Sequence, residues 1–254
     1  MLLAWLLAQP LEGYEKSFKM SKQGLLDKRF LAGMAVARLP PAQLFALCGK
    51  LDMPADLIRR LNDDLAEADT VHFGYEQGHG SAIFKIYLEY WKRLDSARAT
   101  GDESVVLHLA FKWNALDSTR CTVATYRCFP RLAREQILQR IAGLYVGQSD
   151  HPSLVLAAGL MDLAATRGAE PPMYLEVSEE NNPRASFDLN FHAAELKLAD
   201  IEALAMAMAQ RYSIPLAQFL TTWNGIAAKT LGHLSGGLSR DGQDFLTIYY
   251  DPLS

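Results

Sequence analysis

Ile83 to Trp91, read I-F-K-I-Y-L-E-Y-W, alternates strictly along its length. Phe84, Ile86, Leu88 and Tyr90 fall on one face of a β-strand, while Lys85, Tyr87 and Glu89 fall on the other, because strand side chains alternate with period two. The first face suits a covering layer of helices. The second is costly to bury in a dry core, since an ammonium or carboxylate there needs a partner. The polar face therefore points to bulk water or into a wet, enclosed site, and that choice governs what the chain can do.

The same pattern recurs in pairs. Tyr14 to Met20 and Arg29 to Leu39 read as a first hairpin. Thr70 to Glu76 and Ala82 to Trp91, around the turn Gln77-Gly78-His79-Gly80, read as a second. Val105 to Trp113 with Arg120 to Cys128, Met173 to Ser178 with Ser186 to Leu198, and Gly232 to Leu238 with Gln243 to Tyr250 complete five hairpins, or ten strands. Helical periodicity fills the gaps: Pro41 to Lys50 and Pro54 to Ala68, Arg134 to Val146 and Ser153 to Thr166, Ile201 to Tyr212 and Pro215 to Leu231. Polar Lys92 to Glu103 reads as a loop.

Two of these blocks are copies of each other. Pro54 precedes His72 by the same interval that separates Pro215 from His233, and Phe84 and Phe245 follow at matching distances. Repeated units bury their apolar faces against their neighbours. Helix pairs joining antiparallel hairpins put helices on one face of the sheet, and ten strands curl until closure removes the exposed edges. The expectation is an α+β fold: a closed or nearly closed ten-stranded antiparallel barrel wrapped by helix pairs, one domain over residues 1–254. Such a barrel is wider than the roughly eight strands whose side chains alone fill the interior.

Alternation assigns the inward face strand by strand. It carries Arg29, His72, Glu76, Lys85, Tyr87, His108, Lys112, Arg120, Tyr126, Tyr174, Glu176, Asp188, His192, Thr247 and Tyr249, with Glu15, Ser17 and Lys19 from the first strand. An open sheet with one solvated face explains the alternation equally well. The tyrosines favour a chamber, because a solvated face carries Lys, Glu and Thr more than aromatic rings.

Repeated α-β-β-α units with the K-x-Y element Lys85-Ile86-Tyr87 and a closing strand F-L-T-I-Y-Y resemble the ABBA aromatic and peptide prenyltransferases. The short chain is nearest their cyanobactin-type branch. The resemblance implies a transfer of a prenyl group from an allylic diphosphate, as co-substrate, to a peptide side chain or a small aromatic acceptor. It implies a diphosphate clamp of Arg29, Lys85, Lys112 and Arg120, using charge-assisted hydrogen bonds. Tyr87, Tyr126, Tyr174 and Tyr249 would shield the allyl cation through their ring faces. Glu15, by strand position in the resemblance, or Glu76, by its place on the inward face, would take the acceptor's proton. Magnesium would assist the diphosphate without a protein cage. The competing readings are a barrel that binds an apolar or aromatic ligand without chemistry, and an open-sheet scaffold.

Composition excludes some alternatives. The net charge of −4 and the lack of a Lys/Arg run argue against nucleic acid. The apolar run Met1 to Ala8 lacks the basic flank of a signal peptide and is too short to span a bilayer, so it reads as a helix lying on the domain. Cys48, Cys121 and Cys128 form an odd set without C-x-x-C spacing, which points to reduced thiols in the cytoplasm. The six histidines show no metal-ligand spacing, so no metal site is expected. Asp63, Asp64 and Glu67 read as the solvated face of an amphipathic helix.

Overall fold

The computed structural model describes residues 2–6, 8–78, 80–148 and 151–251. A short helix α1 (Leu2–Leu6) precedes the hairpin β1 (Gly13–Ser21) and β2 (Gly24–Ala35). Of the run expected to be helical at the start, Met1 and Leu7 lie outside the described residues. Helices α2 (Pro41–Lys50) and α3 (Ala55–Leu65) lead to β3 (Thr70–Gly78) and β4 (Ser81–Glu89). His79, placed by the sequence in the turn between them, also lies outside the described residues. Helix α4 (Trp91–Thr100) leads to β5 (Val105–Asn114) and β6 (Cys121–Phe129), and α5 (Arg134–Gly143) and α6 (Pro152–Thr166) to β7 (Met173–Glu179) and β8 (Ala185–Asn190). Helices α7 (Glu202–Arg211) and α8 (Leu216–Trp223) precede β9 (Thr230–Leu238) and β10 (Asp244–Asp251). Neighbouring strands pair antiparallel wherever a register is defined, and β1 joins β10, so the ten-stranded sheet closes.

Several elements differ from the sequence reading. Strand β2 stops at Ala35, where the chain folds into a 3-10 turn over Val36–Arg38 closed by the Leu39 N–H on the Val36 carbonyl. The polar stretch after β4 is a helix, not a loop. Its apolar stripe is too thin to register, since only Leu94 and Ala97 of α4 are buried. Strand β8 ends at Asn190, whose side-chain carbonyl accepts the His192 N–H at 3.0 Å and turns the chain. Helix α8 ends at Trp223, before Asn224-Gly225, and β9 begins at Thr230.

The chain packs as two compact units. The first comprises Met1–Tyr14, Lys28–Arg127 and Glu179–Asn181. Its core joins Met34, Val71, Phe73, Ile86, Leu88, Phe111 and Trp113 of the sheet to Leu44, Leu47, Leu57 and Leu61 of α2 and α3, with Leu2 and Leu6 of α1. The indole N–H of Trp113 donates to the Leu51 carbonyl at 2.7 Å, so the ring is anchored on the helix side. An aromatic row, Phe30, Tyr75, Phe84 and Trp113, crosses β2 to β5 with centroids 5.5–5.9 Å apart. Cross-strand aromatic pairs of this kind hold register.

The second unit comprises Glu15–Asp27, Cys128–Ser178 and Asn182–Ser254. Its core packs Phe18, Met20, Phe187, Leu189, Leu246 and Ile248 against Ile137, Ile141, Leu156, Leu160 and Phe219 of the helices. A buried polar knot pins that layer: Tyr145, Ser153 and Tyr212 all hydrogen-bond the carboxylate of Asp244. Burial raises the Asp244 pKa, and the three hydroxyl donors pull it back part of the way.

Tyr174 and Glu176 are on the helix side, not inward as the alternation of β7 was read. Tyr174 is fully buried in this core, 6.0 Å from the ring of Phe129, and donates to Glu176 at 3.2 Å. Glu176 in turn meets Arg140 of α5 at 2.9 Å. The register gives the reason. Tyr174 sits opposite Leu189 and Glu176 opposite Phe187, and opposed residues share a face. Leu175 and Val177 take the other side, and Arg140 supplies the cation that lets a carboxylate stand among helices.

Candidate active site

In the first unit the face away from the helices carries a row of charges. Arg29 lies opposite Glu76 across β2 and β3, and Lys85 lies opposite Lys112 across β4 and β5. Glu76 bridges two cations, 2.5 Å from the guanidinium of Arg29 and 2.7 Å from the ammonium of Lys85. Lys112 meets Glu179 of β7 at 2.8 Å, and both are buried. Arg29, Lys85 and Lys112 thus stand together on this face, each met by a carboxylate. Ions removed from water in this way cost several kcal/mol each unless their partners are well placed. Cations gathered on one face of a sheet are suited to a polyanion.

Gly74 is what lets Lys85 lie across β3: a Cβ there would stand 3.1 Å from the Lys85 Cβ and 3.4 Å from the Tyr87 ring. Tyr87 and Tyr126 meet edge to face at 5.8 Å, and the Lys112 ammonium lies 5.8 Å from the centre of Tyr126. Next along the sheet, Glu89 sits between two imidazoles. Its oxygens are 3.0 Å from His72 Nε2 and 3.5 Å from His108 Nδ1. The His108 ring stands edge-on to Tyr126 at 5.5 Å. Burial works to raise the Glu89 pKa, but the His72 hydrogen bond and the charges of both imidazoles bring it down to about 2. Glu89 is therefore a fixed anion that can compensate a proton arriving on either ring.

In the second unit the corresponding face holds Glu15, Ser17 and Lys19 of β1 beside Thr247 and Tyr249 of β10. Glu15 lies 3.2 Å from His192 Nε2. His233 lies 2.7 Å from Asp188 through Nδ1, 5.1 Å from the His192 ring and 6.0 Å from Tyr249. His72 and His233, equivalent by the sequence repeat, thus each pair with a carboxylate.

Of the residues singled out from sequence, Arg29, Glu76, Lys85, Lys112, Tyr87 and Tyr126 come together in the first unit, and Glu15 and Tyr249 belong to the second. Tyr174 is in the helix-side core. Arg120 is exposed in the β5–β6 turn, outside the strand that was to aim it inward, because its backbone closes a turn with Asp117 and Asn114. Glu76 is engaged by two cations, which suits a positioning anion better than a base. Glu179 went unnoticed because β7 was expected to stop one residue earlier. Asp63 is exposed, and Glu67 pairs with Arg93 of α4, in keeping with a solvated helix face.

No family model and no curated protein matches the sequence. Solved structures do share the fold. The chain is similar to PriB in its ternary complex with L-tryptophan and dimethylallyl thiolodiphosphate, at 14% identity and TM-score 0.65, covering 94% of this chain and 79% of that one. It is similar to 5-dimethylallyltryptophan synthase from Streptomyces coelicolor at 14% identity and TM-score 0.63, covering 94% and 80%. It is also similar to AnaPT from Neosartorya fischeri at 12% identity and TM-score 0.52, covering 94% and 77%. At such identities the likeness is one of fold: the closed barrel of the ABBA prenyltransferases.

Proposed function

We propose that this chain is a prenyltransferase that moves a prenyl group from an allylic diphosphate to an aromatic acceptor. The observation that carries the reading is the convergence of Arg29, Lys85 and Lys112, from β2, β4 and β5, on one face, with Tyr87 and Tyr126 beside them. The shared fold with PriB, whose structures hold product diphosphate or a dimethylallyl thiolodiphosphate, supports it.

The three cations hold the diphosphate by charge-assisted hydrogen bonds. The allylic C–O bond breaks and its electron pair leaves on the diphosphate oxygen, so negative charge grows where the cations stand. The faces of Tyr87 and Tyr126 stabilise the allyl cation and keep water from it. A ring carbon or heteroatom of the acceptor supplies the electrons for the new bond and then loses a proton. An imidazole of the His72 and His108 pair takes that proton, with Glu89 compensating the charge. Magnesium would add its charge to the diphosphate without a protein cage to hold it. Neighbours complexed with L-tryptophan and brevianamide F favour an indole acceptor. The cyanobactin-type resemblance favours one presented on a peptide.

The test is incubation of the purified chain with dimethylallyl and geranyl diphosphate and a panel of tryptophan, tyrosine and short peptides carrying them, read by mass spectrometry. The expected result is the gain of one prenyl unit, reduced about 100-fold or more in Lys85→Ala, the loss typical of removing one charge-stabilising donor. Saturable pyrophosphate binding with no transfer to any acceptor would replace this reading with that of a non-catalytic binding barrel.

A further inference from the structure

We propose that Glu15, His192 and His233 form a binding site for a zinc-class divalent metal ion in the second unit. One ligand atom from each lies within 4.8 Å of the other two. Glu15 and His192 already stand 3.2 Å apart. Two donors on one tetrahedral zinc, at about 2.0–2.1 Å from it, lie roughly 3.4 Å from each other. His192 is exposed enough to turn into place, and its backbone is held by Asn190.

Asp188 gives the triad the support a metal-bound histidine needs. Its carboxylate lies 2.7 Å from His233 Nδ1, so a neutral ring carries its proton there and offers Nε2 to a metal. A carboxylate behind the histidine in this way fixes the ring and raises its basicity. The backbone makes room as well. A Cβ on Gly232 would stand 2.2 Å from the Glu15 oxygen and 3.0 Å from the His192 ring, so only glycine leaves those two side chains this space.

Two imidazoles and one carboxylate suit zinc, cobalt or nickel, whereas magnesium and calcium require an oxygen cage. Three protein ligands leave a fourth position of the tetrahedron for water or another small donor. No local spacing hints at this set, because its members come from β1, the turn after β8, and β9. The inference goes beyond the transfer reaction and does not rest on it.

The chelator-treated full chain, in a Cys121→Ser background that removes the exposed thiol, is titrated with zinc by calorimetry and with cobalt by visible absorption. The expected result is one equivalent bound per chain, with the intense d–d bands of tetrahedral cobalt. His192→Ala and His233→Ala each abolish the bands, and Asp188→Asn weakens zinc roughly 10- to 100-fold, while Mg²⁺ produces no competition. His192→Ala changes an exposed residue, and its far-UV circular dichroism serves as the folding control. No saturable zinc binding, or binding unchanged in His192→Ala, overturns the proposal.

Discussion

Lys85 and Lys112 face each other directly across β4 and β5, and each ammonium is met by a different carboxylate, Glu76 for the first and Glu179 for the second. Like charges directly opposed on a sheet repel. The two acids hold the lysines side by side on the face that the helices do not cover. A polyanion entering that face meets cations already in place.

The Lys112–Glu179 pair is the drier of the two, with side chains 6% and 0% exposed. Lys112→Met removes the ammonium that Glu179 meets and leaves a buried carboxylate without that cation. The expected loss is about 3–5 kcal/mol in urea denaturation. Adding Glu179→Leu returns most of it, since a well-packed apolar pair replaces a buried ion pair with little net change. A single variant as stable as the double would show the pair to be hydrated.

Glu76 competes with an anionic ligand for Arg29 and Lys85. Glu76→Gln keeps the shape and removes the competing charge. Inorganic pyrophosphate is expected to bind the variant about tenfold more tightly, the size of one partly screened charge at short range. Calorimetry at two salt concentrations checks this. Weaker binding by Glu76→Gln would mean that the carboxylate orders the cations more than it opposes the ligand.

Tyr212 and Asp244 make a comparable test on the helix side of the second unit. Burial and the adjacent carboxylate both push the Tyr212 phenol far above the usual tyrosine range, so it remains a donor throughout the working pH. Tyr212→Phe deprives a buried carboxylate of one of three hydroxyl donors and should cost about 1–3 kcal/mol. Tyr145→Phe should cost a similar amount. The double variant should lose less than the sum, because all three donors serve one acceptor.

The charged row was legible because period-two alternation needs no knowledge of partners. Arg29, Lys85 and Lys112 follow from counting along their own strands. Tyr174 did not follow, because its face is set by pairing with β8, where Leu189 and Phe187 had already committed that side to the helices. Helix α4 was hidden by polarity: it carries Lys92, Arg93 and Asp95, and only Leu94 and Ala97 of its ten residues are buried. The Glu15, His192 and His233 set was invisible for a different reason. It joins residues from opposite ends of the chain through closure of the sheet, and no local spacing encodes that.

Glu89 should set the acid limit of the first unit. Its folded pKa of about 2 is below the ordinary glutamate value, so its ion pairs contribute stability that is fully present above about pH 4.5. That stability is lost as pH falls from there toward 2, on the order of 3 kcal/mol in total. Glu89→Gln removes the linkage and should flatten this stretch of the stability curve, at a lower plateau near neutrality. Gly33→Ala reaches the same device from the next strand. Its new methyl would stand 2.5 Å from His72 Nδ1, so the ring must move, and the 3.0 Å contact with Glu89 moves with it. The acid midpoint of Gly33→Ala should therefore lie above that of the wild type, and adding Glu89→Gln should shift it less than it shifts the wild type, since only the His108 side of the device remains. Acid titrations followed by circular dichroism, with urea melts at pH 3, 5 and 7, roughly bracketing the transition, measure both effects. Superimposable acid curves for wild type and Glu89→Gln would show that the imidazoles, not this carboxylate, carry the pH dependence.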